Sequence, residues 1–437
     1  MTEERIAEII ELVKKEVKPA LGCTEPAAVS LAVARSREAL GCTDYRKIES
    51  IVVEVSANIL KNGMGVGIPG TGMVGLRIAA ALGAACGKSA YGLEVLKDVG
   101  ANSIDEAREI NDSNMLVIRL ADTPKKLYIK ATVAADGHTA STVIEDCHDR
   151  IVSVTLDGCE LLQETLHTAD GASCHSCEKS TGDYGLSVHE IVEFAQYAPF
   201  SEIEFILDSV TLNKALSDEG LHGNYGLNVG RTIMENMKGD LIGDSLLTYA
   251  MAVTAAASDA RMDGCLLPAM SNSGSGNQGI TATLPVIAFA EKCGADKEQL
   301  ARALMLSHLT AIHIKGYLGK LSALCGCVIA STGSACGIVY LKGGGYREIC
   351  CAIKNMIGNI TGMVCDGAKE GCALKVASGV SSAVQSALLA VNDICVASHD
   401  GIIDSSIEKT IENLGTIGST GMQSADKMIL DIMVGKV

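Results

Sequence analysis

The sequence predicts an α+β N-terminal domain with an antiparallel sheet, residues 1–185, followed by an all-α helical domain, residues 186–437. Three observations lead there. The apolar pattern alternates with period two between 115 and 158, then turns helical almost everywhere after 186. At 437 residues the chain exceeds one ordinary core. A polar stretch, Thr168 to Asp183, separates the two patterns and reads as an exposed linker.

The elements follow in order. Ile6, Ile9, Ile10, Val13 and Val17 recur at helical spacing until Lys18-Pro19 interrupts them. A second helix is predicted from about Thr24, its cap, to Leu40, with Pro26 tolerated in the first turn. Residues 51–57, IVVEVSA, alternate as a strand. The run 61–75, KNGMGVGIPGTGMVG, reads as a glycine-rich loop feeding a helix from Leu76 to Ala85. MLVIRLA, KLYIKATVAA, HTASTVIED and IVSVTLDG are four β-like runs with turns at Asp136-Gly137 and Asp149-Arg150, together an antiparallel meander. In the second half, Ala-rich helical runs such as 246–262 and 376–391 alternate with glycine loops. The charge-free stretch Leu321 to Leu341 has the length of a membrane span. Its Ser322, Ser331, Thr332, Ser334 and three cysteines make it a buried helical segment of a globular core instead.

Composition narrows the function. Hydrophobic residues make up 48% but aromatics only 3%, so helices must pack closely through Ala, Val, Ile, Leu, Met, Cys and Gly. A net charge of −16, with no Lys/Arg run, argues against a nucleic-acid partner, and no membrane partner is expected. The charged, amphipathic opening MTEERIAEII is no signal peptide, so a cytoplasmic location with reduced thiols is expected for the 17 cysteines. They are then metal ligands, nucleophiles or small hydrophobic fillers.

Four constellations carry chemistry. Cys325 in LSALCG, Cys365 and Cys372 in MVCDGAKEGC lie in small, glycine-rich surroundings. Three thiolates on a cubane iron–sulfur cluster leave one iron without a protein sulfur from that set; the plain alternative is three buried cysteines, and Cys327, Cys336, Cys350 and Cys351 crowd the same region. Cys23 in LGCTEP sits at the mouth of a helix, where the dipole favours a thiolate. The loop 271–279, SNSGSGNQG, concentrates amides, hydroxyls and backbone N–H groups ahead of an apolar helix, which suits a substrate carboxylate and amine; Ser271, Ser273, Asn277 and Gln278 are its candidates. The 61–75 loop with Asn58 is a weaker candidate for the opposite wall, and GVGIPG lacks the context of a dinucleotide fold. Cys174 and Cys177 form a lone CxxC, a weak zinc signal, and His308 and His313 read as structural histidines.

Taken together, LGCTEPAAVSLA, SNSGSGNQG followed by PV, LSALCG and MVCDGAKEGCALKVASG resemble the L-cysteine desulfidases, relatives of the iron–sulfur L-serine dehydratases, essentially end to end. The resemblance implies a [4Fe–4S] cluster on Cys325, Cys365 and Cys372, no pyridoxal phosphate, and a reactive Cys23. It implies α,β-elimination of L-cysteine to pyruvate, ammonia and sulfide, with a small amino acid as the partner molecule. L-Serine is the rival substrate, and a cysteine-rich redox or metal sensor the rival of another class. Single-chain serine dehydratases can draw a fourth cluster ligand from the extreme C-terminus; this chain ends DIMVGKV, which leaves Cys23 as the substitute. A homo-oligomer is left open.

Overall fold

The computed structural model describes residues 1–163, 184–237, 239, 242–319 and 322–435. The polar stretch 168–183 and the Cys174/Cys177 pair lie outside them. In chain order the helices are α1 (Glu3–Glu16), α2 (Thr24–Ala39), α3 (Ala57–Gly63), α4 (Leu76–Ala85), α5 (Ala101–Asp112), α6 (Val188–Tyr197), α7 (Phe200–Ile203), α8 (Asp208–His222), α9 (Val229–Asn236), α10 (Leu246–Met262), α11 (Gly276–Cys293), α12 (Lys297–Leu318), α13 (Gly326–Leu341), α14 (Tyr346–Ile360), α15 (Cys372–Ala390), α16 (Ile407–Thr416) and α17 (Gln423–Val434). The strands are β1 (Pro19–Ala20), β2 (Ile48–Val55), β3 (Gly67–Ile68), β4 (Met73–Val74), β5 (Leu116–Leu120), β6 (Tyr128–Ala135), β7 (His138–Glu145), β8 (Ile151–Leu156), β9 (Cys159–Gln163) and β10 (Ala269–Met270). Two compact units emerge. A helical unit holds the described residues of 1–20, 184–366 and 370–429; a sheet unit holds those of 21–163, 367–369 and 430–435.

The sheet unit is built on a six-stranded sheet in the order β5-β2-β6-β7-β8-β9. Strands β6 to β9 form the expected meander. Asp136-Gly137 and Asp157-Gly158 both have positive φ, the hallmark of the two-residue hairpin turns that match strand twist. The second Asp-Gly announces β9, which the sequence reading passed over. Two corrections concern the first β-like run. Leu116–Leu120 does not join the meander: it pairs in parallel with β2, and β2 in turn pairs antiparallel with β6. The sheet is therefore mixed. The reason is the connection, because β2 and β5 are separated by a long crossover through α3, α4 and α5, which a parallel pair requires. Ile51, Val53, Val55, Ile129, Ala131 and Val133 alternate onto one face and share a core with Ala28, Leu31 and Ala32 of α2 and Ile78 and Leu82 of α4. Ser36 of α2, wholly buried, is satisfied by donating to Ala131 O at 3.0 Å, with the Thr142 hydroxyl 2.9 Å away.

The helical unit is centred on α13, which is charge-free and buried on every side from Cys327 to Val339. The membrane-length stretch is thus a core helix. Its polar residues bond back into their own helix: Thr332 donates to Val328 O at 2.8 Å and Ser334 to Ser331 O at 3.1 Å. With so few aromatics, glycine sets the helix spacing. A methyl on Gly333 would overlap Ser307 O of α12, and one on Gly337 would lie 2.8 Å from a Val286 methyl of α11. Helix α15 is long and apolar enough to cross a membrane by length and composition, and 56% of it is buried inside the protein. Helix α1 folds as predicted and adds Ile9, Ile10 and Val13 to this core. Among the described cysteines, Cys147 is disulfide-bonded, an exception to the expectation of reduced thiols.

Gly333→Ala forces two packed helix backbones apart and should cost about 1–3 kcal/mol, read as a lowered urea midpoint. Gly362→Ala, which meets nothing within 4 Å, should stay within about 0.5 kcal/mol of the parent.

Candidate active site

The cysteine trio is assembled in the helical unit by backbone pairing. Leu324 and Val364 form an antiparallel bridge. Cys325 N donates to Met363 O at 3.0 Å, and Cys365 N donates to Ala323 O at 2.7 Å. Segments 40 residues apart in sequence thereby bring Cys325 and Cys365 together. Cys372 opens α15 directly after Gly371, and Cys325 is the N-cap residue of α13. Two of the three sulfurs therefore sit at helix N-termini, where the partial positive charge favours a thiolate or an anionic group.

Burial pushes the Cys325 thiol up to about 12, with Cys365 and then Cys372 adding to the rise. Cys365 and Cys372 are thus both within electrostatic reach of Cys325. Lys375, one turn into α15, is the countercharge. Its ammonium donates to Val364 O at 2.9 Å and pairs with Asp366. Burial pulls its pKa down, but Asp366, Cys325 and Cys365 outweigh that and leave it above the ordinary lysine value. Among the described residues no three Cys, His, Asp or Glu side chains converge on a single metal ion. A cubane does not ask for that, because each cysteine binds a different iron. Three clustered cysteines, two helix N-termini and one lysine fit an anionic iron–sulfur cluster.

The 271–279 loop lies in the same unit. It is fastened to the chain ahead of β1: Ser271 N and Oγ donate to Lys18 O at 2.9 and 2.6 Å, and Ser273 N donates to Glu16 O at 2.8 Å. Ser273 and Gly274 adopt positive φ, and Ser275 then caps α11, accepting from Gln278 N at 3.3 Å. The hub is Asn272, wholly buried. Its Oδ1 accepts from Gln278 Nε2 at 2.7 Å and from Ser273 Oγ at 2.9 Å. Its Nδ2 donates to His308 Nδ1 at 3.0 Å and to His308 O at 3.2 Å. Thr283 gives its proton to Gly279 O, so the 3.0 Å contact to His308 Nε2 makes that nitrogen the donor. His308 is therefore neutral with Nδ1 accepting, and burial pulls its pKa down to about 3.

Gln278 links the two constellations. Its Oε1 is buried without a hydrogen-bond partner. A Cβ built on Gly326, the residue after Cys325, would lie 3.2 Å from that oxygen. Asn277 accepts from Arg261 Nη1 at 3.3 Å, and Gly276 leaves room for the same guanidinium. Asp259, wholly buried on the same helix as Arg261, has its carboxyl pushed up to about 6 by burial, although the Gly230 N–H donates to it. Asn272, Lys375, Arg261, His308 and Asp259 are the site groups that sequence reading missed. Lys375 had a signal, three residues after Cys372. His308 had none, since only the fold brings it to residue 272.

The remaining candidates belong to the sheet unit. Cys23 is buried at the N-cap of α2, so Thr24 is the first helical residue and not the cap. A cysteine there contributes no capping hydrogen bond. Gly22, with φ of +64°, lies against Pro69 of the glycine-rich loop, where a Cβ would come within 2.7 Å of Pro69 Cγ. The 61–75 run begins in α3 and folds into the small β3–β4 pair. Asn62 donates to Glu25 at 3.1 Å, which ties α3 to the start of α2. Asn58 is half-buried in α3.

The serine dehydratase alpha chain family matches residues 90–431. The chain belongs to that family. It is also 52% identical over 429 residues to a UPF0597 protein of Parabacteroides distasonis, covering 98% of each chain. A UPF0597 protein of Bacteroides fragilis is 49% identical over 437 residues, with both chains fully covered. One of Oleidesulfovibrio alaskensis is 49% identical over 429 residues, covering 98% of this chain and 97% of its own. The family match takes in the whole of the 271–279 loop and all three cysteines of the trio.

His308 gives the site a pH signature. The folded chain keeps it neutral down to about 3, while the unfolded chain protonates it from 6.5. Its contribution to stability is complete above pH 6.5 and is lost as the pH falls toward 3, at about 1.4 kcal/mol per pH unit. Urea midpoints measured across that window should fall less steeply in His308→Gln than in the parent.

Proposed function

We propose that the protein is a [4Fe–4S]-dependent lyase that eliminates sulfide from L-cysteine, yielding pyruvate and ammonia by way of 2-aminoacrylate. The observation that carries the reading is the meeting of the cysteine trio with the unspent Gln278 acceptor next to Cys325. A cluster held by Cys325, Cys365 and Cys372 would supply a Lewis-acidic iron for the departing heteroatom.

The protein's own groups do the rest. Gln278 Oε1 is a buried acceptor that lacks a donor, so an α-ammonium group satisfies it. The N-terminus of α11, with Asn277 held by Arg261 and with Ser271 and Ser273 shaping the loop, suits the α-carboxylate. His308 keeps Asn272 in the one orientation that leaves Gln278 Oε1 free for substrate. Cys23, at a helix N-terminus, is assigned the Cα proton. As that proton leaves, the Cβ–S bond breaks and its electrons depart with sulfur. The enamine then tautomerises and is hydrolysed by water. Asn58 is kept as a weaker contact to the substrate.

L-Serine is the second reading, favoured by the family's description as a serine dehydratase chain. The same groups would then expel a hydroxyl. Parallel assays of pyruvate from both amino acids, with sulfide followed for cysteine, separate the two; pyruvate from serine alone would overturn the desulfidase assignment.

Anaerobic reconstitution should load about four irons and four sulfides per chain, and Cys325→Ala should lose most of that iron. Cys23→Ala should keep the iron but drop turnover by at least about 10²-fold; full turnover would end its assigned role. Asn277→Ala should raise KM more than it lowers kcat.

A further inference from the structure

A pair of thiols lies apart from the trio. Helix α14 carries Arg347, Cys351, Asn355 and Gly358 at helical spacing, so they share a face. The segment after α15 runs along that face and is pinned three times. Arg347 pairs with Asp393 at 3.3 Å. Asn355, almost fully buried, donates to Ile394 O at 2.9 Å and accepts from Val396 N at 2.9 Å. Gly358 admits Val396, whose Cγ2 would lie 3.3 Å from a Cβ there. Both neighbours of Cys395 are thus held by one side chain, one turn from Cys351. The two thiols share a side-chain hydrogen bond, and both are part-exposed. Neighbouring Cys350 bonds to Tyr346 instead.

We propose that Cys351 and Cys395 are a reversible dithiol–disulfide site, oxidised by small-molecule disulfides, that links α14 covalently to the segment following α15.

The chemistry balances in two exchanges. Cys395, on the segment outside the helices, is taken as the thiol that first gives its proton to solvent and attacks, with Cys351 of α14 resolving. Cys395 displaces one thiolate from the small disulfide and becomes a mixed disulfide. Cys351 then gives up its proton to solvent, attacks the Cys395 sulfur and displaces the second thiolate. Two electrons pass from the protein pair to the small molecule, which leaves as two thiols. The closed loop, 351–395, encloses Cys365 and Cys372, so the bond restricts the segment that carries two of the trio. The inference stands independently of the reaction proposed above.

The test uses the full-length chain, oxidised glutathione, alkylation of remaining thiols and tryptic mapping. The expected result is a cross-link between the fragments 348–354 and 376–409, reversed by dithiothreitol. It should persist in Cys350→Ser and vanish in Cys351→Ser, where Cys395 retains glutathione. Asn355→Ala should lower the cross-linked fraction at a fixed glutathione ratio by roughly tenfold, because Cys395 loses its effective concentration near Cys351. Full alkylation of both cysteines in the parent, or a cross-link that survives Cys351→Ser, overturns the proposal.

Discussion

A single backbone bridge, Leu324 to Val364, holds the candidate site together. It is a small contact, but the two cysteines it brings together have no other reason to meet. The bridge is itself held by its surroundings. One side continues into α13, the most buried helix of its unit, and the other leads through a short loop into α15. Helices α13 and α15 pack so tightly that Gly379 has no room for a side chain beside the Cys327 sulfur. Backbone pairing fixes the register, and close helix packing fixes the depth.

Depth brings an electrostatic problem. A thiolate in a buried pocket loses the solvation that stabilised it, which is why Cys325 rises so far. Two helix N-termini and the Lys375 ammonium counter that cost from within the fold. The pocket therefore resists ionising a lone thiol yet suits a shared negative charge, the charge type of a thiolate-ligated cluster. The polar loop solves the opposite problem. Asn272 gives both ends of its amide to fixed partners, so Gln278 cannot rotate to satisfy its own oxygen. A buried acceptor is left unspent.

Local features were legible in the sequence. The meander, the Asp-Gly turn at 136–137, the cysteine motifs and the polar loop are each written in a few consecutive residues, and those segments fold much as they read. What escaped was non-local. Nothing in MLVIRLA tells whether it pairs with β6 or, through a crossover, with β2, because a strand's apolar alternation is the same for either partner. The second Asp-Gly was readable and was missed, since the residues after it, Cys159 to Gln163, alternate only weakly. Cys23 was placed in the right turn but one position off as to the cap. Asn272 was within the loop that composition singled out, yet its role depends on His308, 36 residues away.

The many cysteines can be sorted by depth together with where they fall on their helices, a distinction that counting and spacing do not make. Cys336 lies in the middle of α13, wholly buried, and burial pushes its pKa up to about 12. Cys327 is buried too, donates to Lys375 O at 3.1 Å, and is driven well above the ordinary thiol value. Mid-helix, the backbone N–H groups are already spent on the i−4 carbonyls, so no dipole end reaches Cys336; Cys327 stands in the first turn of α13, but its backbone N–H serves the Cys325 sulfur and burial dominates its own. They act as small apolar fillers, as the scarcity of aromatics requires. Cys325 and Cys372 are only part-buried, and each stands at the start of its helix, where unspent N–H groups remain. A helix start with some exposure separates a sulfur that can bear charge from one that fills space, and in α13 the two kinds stand two residues apart, at part-buried Cys325 and buried Cys327.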